Sequence, residues 1–143
     1  MVESGALFPV VLPIAAISFF LNLLWEVRHS TLYTTCHEMD FKNYVPLILK
    51  QSIKDALWIS LFYLPSVLIF GTIFIFKNYA MLTFFVALSL TFSFIDERIS
   101  IRKKRWEYAP SMPIFFGVGI TPLFELVATG VITFFIVFQY VVI

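Results

Sequence analysis

The chain has 143 residues, of which 60% are apolar, 19% aromatic and 13% charged, and its formal net charge is +1. A soluble domain of this length cannot bury so much apolar surface, so the composition indicates an integral membrane protein. The single cysteine, Cys36, excludes an internal disulfide and any chemistry that needs two thiols within the chain.

Four apolar stretches are long enough to cross a bilayer core of about 30 Å, which requires roughly 20 residues of helix. They cover residues 7–25, 56–76, 79–95 and 113–143. The first has no basic residue before it, so we expect a retained span rather than a cleaved signal. The short link Lys77-Asn78 predicts a tight hairpin of the second and third helices. The sequence therefore predicts one domain over residues 1–143, an all-α antiparallel bundle of four transmembrane helices.

The basic residues are distributed unevenly between the two ends of this bundle. Nine of the ten follow the first or the third stretch, and only Lys77 lies at the opposite end. Because basic loops tend to remain in the cytoplasm, this asymmetry predicts that the end with nine basic residues is cytoplasmic. Both termini are then expected on the non-cytoplasmic side. The nine residues are Arg28, Lys42, Lys50, Lys54, Arg98, Arg102, Lys103, Lys104 and Arg105.

Each predicted helix carries a stripe of polar or aromatic residues at helical spacing. Lipid would not favour such faces, so we expect the stripes to face one another and to enclose a polar site that opens at the cytoplasmic end. In chain order the stripes are Ser18, Asn22, Glu26, His29 and Tyr33; Gln51, Asp55, Trp58, Phe62 and Ser66; Ser89, Ser93, Asp96 or Glu97, and Ser100; and Thr121, Glu125, Thr129 and Thr133.

The carboxylates are expected at similar membrane depths. At 1.5 Å per residue, Glu26 lies near the cytoplasmic interface, and Asp55 is expected at the start of the second helix. Glu125 lies roughly 18 Å along its segment if the helix starts at Pro113, and less deep if residues 113–119 are irregular or re-entrant. Because a charge at depth costs several kcal/mol, Glu125 is the strongest candidate for a functional acid.

The sequence predicts a catalytic group and a substrate-binding group. The catalytic candidates are Glu125, Glu26, Asp55 and His29, and the binding candidates are Asn22, Tyr33, Trp58, Asp96, Glu97, Trp106 and Tyr108. Asp96 and Glu97 could equally be carboxylates of ion pairs at the membrane interface. Asp55 could equally be a carboxylate that the helix dipole stabilises in a first turn. The aromatic candidates also suit the belt at the headgroup level.

A metal site is a weaker prediction. The spacing Glu26-x-x-His29 suits metal binding from one helix, but it occurs once, whereas di-iron bundles use two such motifs. A mononuclear site formed by Glu26, His29, His37 and Glu97 is the remaining alternative. No metal is assigned on this basis, and the cofactor is left open.

Three function classes follow. We expect the pocket to bind or convert a lipid or isoprenoid-like substrate by acid–base chemistry, with Glu125 as acid and Glu26 or Asp55 as its ionised counterpart. The alternatives are a small ion- or proton-coupled carrier or channel subunit, and a non-catalytic partner of another membrane protein. Expected partners are membrane lipids, a lipid-like small molecule and further copies of this chain, but no nucleic acid.

The acids Glu26 and Asp55 on early helices, and Tyr108-Ala109-Pro110 before the last one, resemble the four-helix domain of the sterol isomerases and the sigma-2 receptor. That resemblance implies acidic residues that face an interior lipid pocket. No diagnostic motif accompanies it, so no residue role is taken from it.

Overall fold

The computed structural model describes residues 4–141, which are mostly helical. The helices are α1 (Ser4–His29), α2 (Thr34–His37), α3 (Phe41–Phe70), α4 (Tyr79–Arg102) and α5 (Ile120–Ile136). Two short strands, β1 (Ile114–Phe115) and β2 (Val118–Gly119), pair antiparallel, and a π-helical turn (Val137–Val141) continues α5. Both termini, including the last two residues of the fourth predicted span, lie outside the described residues.

Four of these helices are long and apolar enough to cross a membrane, as the composition predicted. They are α1, α3, α4 and α5 together with its π-helical extension. Their outward faces carry large apolar side chains, among them Phe8, Leu24 and Leu68, each at least 70% exposed. Such surface suits contact with lipid, so the helical class and the four spans agree with the sequence analysis.

The start of α3 differs from the predicted one. The helix begins at Phe41 rather than at residue 56, because residues 41–55 form an amphipathic helix that buries Ile48 and Ser52 and exposes Lys50. Asp55 therefore lies in the middle of α3, and its expected place in a first turn was wrong. The helix dipole does not explain a carboxylate at that position.

The link between α3 and α4 is also longer than the two residues predicted. Helix α3 ends where Gly71 adopts a φ of +67° and donates its N–H to the Val67 carbonyl at 2.9 Å. The Tyr63 hydroxyl donates to the Ile73 carbonyl at 2.7 Å, and the side chain of Asn78 caps α4. Residues 71–78 thus form an ordered connection.

The fourth span begins late. Residues 114–119 form the β1–β2 hairpin, in which Gly117 has a φ of +75°, and Ile120 donates its N–H to the Pro113 carbonyl at 2.8 Å. Of the two alternatives for this segment, the structure has the irregular one. Glu125 consequently lies only about 8 Å along its helix, which brings it to the level of the other carboxylates.

The four long helices pack mainly in the cyclic order α1, α3, α4, α5, and α3 also contacts α5 across the bundle. Large side chains such as Tyr63, Phe85 and Phe134 fill the centre and are fully buried. The predicted polar stripes also turn inward. Their buried members are Ser18, Asn22, His29, Tyr33, Asp55, Phe62, Ser66, Ser89, Ser93, Glu97, Ser100, Glu125, Thr129 and Thr133.

Gly130 determines how closely α4 and α5 approach. A Cβ atom at this position would lie 2.6 Å from Cζ of Phe85, whose ring is fully buried against Phe134 at a centroid distance of 4.8 Å.

We expect Gly130→Ala to lower the free energy of unfolding by about 1–3 kcal/mol, because the packed ring cannot move freely. Denaturation in mixed micelles measures this. Combining it with Phe85→Leu should recover part of the loss, whereas strictly additive losses would contradict the contact.

Candidate functional site

A partly enclosed cavity of about 170 Å³ lies at the end of the bundle that carries most of the basic residues. All four long helices contribute to its lining, as do the connections 30–40 and 103–113. The lining has more acids than bases, so protons or a cation must balance part of its negative charge. The acids are Glu26, Asp55, Asp96, Glu97 and Glu125; the bases are His29, Lys54 and Arg105; the apolar members include Leu47, Ile48, Phe92 and Leu126.

His29 is oriented by two residues of α5. Its Nε2 atom lies 2.8 Å from Oγ1 of Thr121, and its Nδ1 atom lies 3.6 Å from Oε2 of Glu125. The Thr121 hydroxyl donates to Sδ of Met112 at 3.2 Å. A hydroxyl has one proton, so Thr121 accepts the Nε2–H of His29 when it donates to Met112. In that tautomer the lone pair of the neutral imidazole is on Nδ1, on the side of Glu125.

Glu125 reaches the cavity from the second turn of α5 and is 6% exposed. Its Oε2 atom faces His29, but its Oε1 atom has no hydrogen-bond partner within residues 4–141. Leaving a buried polar atom without a partner costs about 1–3 kcal/mol. This oxygen is therefore a position where a proton, a substrate or an ion would be stabilised.

Two further carboxyl groups interact across α1 and α3. Those of Glu26 and Asp55 are neighbours in the lining, and because two ionised carboxylates at short range repel each other, a proton on the pair stabilises it. Nζ of Lys54 lies 3.9 Å from Oδ1 of Asp55 and 3.3 Å from Oδ2 of Asp96. Its ammonium group offsets part of the negative charge at this side of the cavity.

Glu97 joins α4 to the connections on both sides of the cavity. Its Oε1 atom accepts hydrogen bonds from the hydroxyl of Tyr108 at 2.7 Å, the hydroxyl of Tyr33 at 3.2 Å and Nε1 of Trp106 at 3.2 Å. Burial, followed by the effect of Glu97, raises the pKa of both tyrosines, so their hydroxyls stay protonated and donate. The Tyr108 oxygen also accepts the N–H of Gly119 at 2.8 Å, which fixes the strand before α5.

The connection after α1 is paired with the connection after α4. Tyr33 and Tyr108 form an isolated antiparallel bridge, and the N–H of Thr34 donates to the Glu107 carbonyl at 3.0 Å. These bonds place Tyr33 at the cavity from a connection rather than from a continued α1, because that helix ends at His29. The expected helical position of Tyr33 was therefore wrong, although its side chain still reaches the cavity.

The structure brings together the four residues predicted to be catalytic, since Glu26, His29, Asp55 and Glu125 all line the cavity. Among the predicted binding residues, the members of the lining are Tyr33, Asp96, Glu97 and Trp106. The other three, Asn22, Trp58 and Tyr108, do not line it. The roles of all eleven stay predictions.

The three residues outside the lining have other contacts. The side-chain amide of Asn22 donates to the Ser18 carbonyl at 2.8 Å. Trp58 packs on the rings of Phe62 and Phe92, with centroid distances of 5.5 and 4.2 Å. Tyr108 supports Glu97 with its hydroxyl.

Several lining residues were not among the predicted site residues. Gln51 is one of them, and Thr121 contacts His29 from outside the lining; both lie on the polar stripes, so helical spacing could have identified both. Cys36 and Arg105 lie in connections, where no periodic pattern indicates a direction for a side chain. Their position depends on pairing between segments that are far apart in the chain.

A set of metal-ligating atoms is present in the cavity, but it differs from the set considered in the sequence analysis. One donor atom each from Glu26, His29 and Glu125 lies within 4.8 Å of the other two. His37 bonds through Nε2 to the Thr31 carbonyl at 2.8 Å and does not line the cavity, so the expected set with His37 and Glu97 does not form.

The chain matches no protein-family model, no curated protein and no solved structure. The resemblance to the sterol isomerase type of domain therefore stays an expectation, and function is inferred from the arrangement of side chains.

Proposed function

We propose that the chain is an antiparallel bundle of four transmembrane helices with both termini on the non-cytoplasmic side. The distribution of basic residues supports this topology, because nine of the ten lie in the last turn of α1, on α3, at the end of α4 or in the connection after α4. The cavity adjoins these basic segments, so in this topology it opens toward the cytoplasm.

We further propose that the cavity binds a lipid or isoprenoid-like molecule and converts it by acid–base chemistry. The observation that carries this proposal is the position of the Glu26–Asp55 pair beside His29 and Glu125 in one cavity. A proton donor and a proton acceptor are side by side there, which is the arrangement that proton transfer requires.

The apolar part of the lining supports an apolar substrate. Leu47, Ile48, Phe92 and Leu126 supply apolar surface on which a hydrocarbon chain would pack, and the acids belong to the same lining. A lipid can reach such a site from the membrane, and its reacting carbon or oxygen would then lie next to the carboxyl groups.

The simplest reaction for this arrangement is an isomerisation. A carboxylic acid gives a proton to one atom of the substrate, and a carboxylate removes a proton from another atom. The double bond moves, and the number of protons on the substrate is unchanged, so no oxidant or further reactant is needed. Asp55 and Glu26 are the pair that exchanges protons in this scheme, because they are neighbouring carboxyl groups in the same lining.

The reaction is testable before its substrate is known, because such a proton transfer places solvent hydrogen on carbon. Vesicles of total membrane lipid that contain the protein should, in D2O, incorporate deuterium at carbon in one lipid species. We expect Asp55→Asn to reduce the incorporation at least about 100-fold. Mass spectrometry of the extracted lipids measures it.

Asp40→Asn is the matched control, since Asp40 is an exposed carboxylate outside the cavity lining. It should incorporate deuterium at close to the native rate. Incorporation no greater than in protein-free vesicles, or equal incorporation in the Asp55 and Asp40 variants, would contradict the proposed function.

One observation favours a second candidate, a proton- or ion-coupled carrier. Buried polar atoms without a partner within residues 4–141 continue from Glu125 along the bundle, at Asn22, Ser89, Ser93 and Thr133. Such atoms would suit a hydrated path. Proton flux into vesicles, measured with an enclosed pH dye, would favour the carrier if Ser93→Ala and Thr133→Val slowed it.

A further inference from the structure

The ligand set in the cavity points to a function that proton transfer alone does not account for. Donor atoms of Glu26, His29 and Glu125 lie within 4.8 Å of one another. Ligands that bind a first-row cation at about 2.0–2.2 Å are about 3–3.5 Å apart, so small side-chain rotations would close the three on one ion. We propose that these three residues bind one divalent transition-metal cation.

The unpartnered oxygen of Glu125 independently supports a ligand at this position. The side chain is 8% exposed, and its Oε1 atom has no hydrogen-bond partner within residues 4–141. A packed bundle could satisfy this oxygen with a serine or threonine hydroxyl, as it does for other buried groups. A bound cation supplies the missing partner and removes the cost of burying the carboxylate.

Thr121 is placed to hold His29 in the orientation that metal binding requires. When the Thr121 hydroxyl accepts the Nε2–H of His29, the free lone pair is on Nδ1, which already lies 3.6 Å from Oε2 of Glu125. Metal-bound histidines usually donate their other N–H in this way. Glu26 supplies the third donor atom from the same helix as His29.

Charge and ligand type narrow the class of ion. Two carboxylates neutralise a divalent cation, and a mixed set of one imidazole and two carboxylates suits Zn²⁺, Mn²⁺ or Fe²⁺. Ca²⁺ and Mg²⁺ prefer oxygen ligands alone, so the imidazole of His29 argues against them. Three protein ligands also leave a coordination position for a substrate atom.

The role of the cation rests on the proposed function. In that reaction the cation would polarise a carbonyl or hydroxyl oxygen of the lipid and so replace a carboxylic acid as the electrophile. Asp55, which is outside the ligand set, would take a proton from one carbon and, after exchange with solvent, give a proton to another, so the number of hydrogens on the substrate is unchanged. Metal binding itself does not depend on this role.

The test is a Co²⁺ titration of the full chain, purified without a polyhistidine tag and stripped with EDTA. We expect one equivalent to bind, with visible d–d absorption, and one equivalent of Zn²⁺ to displace it. Glu125→Gln, which keeps the size of the side chain, should weaken binding at least about 100-fold. Thr121→Val should weaken it about 10–100-fold through the orientation of His29.

Glu38→Gln is the matched control, because Glu38 is exposed and lies outside both the cavity lining and the ligand set. It should bind Co²⁺ like the native chain. Failure to bind one equivalent, or equal affinity in the Glu125→Gln and Glu38→Gln variants, would overturn the metal site. The titration needs no lipid, and deuterium incorporation needs no added metal. Incorporation without Co²⁺ binding would therefore overturn only the metal site, and binding without incorporation would overturn only the proposed reaction.

Discussion

Replacing Glu97 by alanine is expected to lower the free energy of unfolding by about 3–5 kcal/mol. One oxygen of this buried side chain accepts hydrogen bonds from Tyr33, Trp106 and Tyr108. All three donors would lose their partner at once, and the space left by the side chain would add a packing loss. Denaturation of the purified chain in mixed micelles measures the difference.

Two variants separate this effect from a general effect of charge. Glu97→Gln keeps an acceptor oxygen at the same place, so its loss should be about 1–2 kcal/mol. Asp96→Asn removes the neighbouring carboxylate, whose side chain is 31% exposed and pairs with Lys54, and it should cost less than about 1 kcal/mol. Equal stability of the Glu97→Ala and Asp96→Asn variants would show that Glu97 does not connect the two segments.

Neutralising the basic connection after α4 should disturb the orientation of the whole chain. Arg102, Lys103, Lys104 and Arg105 supply four of the nine basic residues at that end, while Lys77 alone lies at the other. We expect their joint replacement by glutamine to produce a measurable fraction of inverted molecules, which should increase further when two lysines are added within residues 71–78.

Cysteine labelling measures this orientation. In a Cys36→Ser background, a cysteine at residue 78 should react with an impermeant maleimide from outside the cell, and a cysteine at residue 103 only after permeabilisation. Inverted molecules would give the opposite labelling result at both positions. Replacing Lys77 alone by glutamine is the control and should leave the orientation unchanged. An unchanged orientation of the multiple variant would refute the charge argument and, with it, the cytoplasmic opening of the cavity.

Helical periodicity made much of the candidate site predictable. Side chains three or four residues apart share a face, so the sequence could place Glu26 with His29 and could predict that Asp55 and Glu125 turn inward. The structure puts these four residues around one cavity. Hydropathy likewise predicted four spans, because a membrane helix requires a long apolar stretch.

Hydropathy failed where a helix is only half apolar. The first part of α3, from Phe41, is amphipathic, so the predicted span began at residue 56 and Asp55 was assigned to a first turn. Residues 113–119 are apolar but form a hairpin, because Gly117 adopts a positive φ and Pro113 lacks an N–H. No hydropathy window distinguishes that hairpin from the first turns of a helix.

The connections could not be predicted because long-range pairing positions them. The bridge between Tyr33 and Tyr108 joins residues that are far apart in the chain, and the three hydrogen bonds to Glu97 come from two different connections. From the sequence alone, Tyr33 and Tyr108 suited a site lining and an aromatic belt at the headgroup level equally well. Their contact with Glu97 follows only from the folded arrangement.

The central claim, that the cavity holds a lipid-like molecule, is tested most directly by native mass spectrometry of the gently purified chain. The account predicts one tightly held lipid species per chain. Leu126→Trp, which fills the cavity, should lose it, while Phe124→Trp should keep it because Phe124 is 48% exposed on the same helix. A chain that carries no such lipid, or an equal amount in both variants, would contradict the claim.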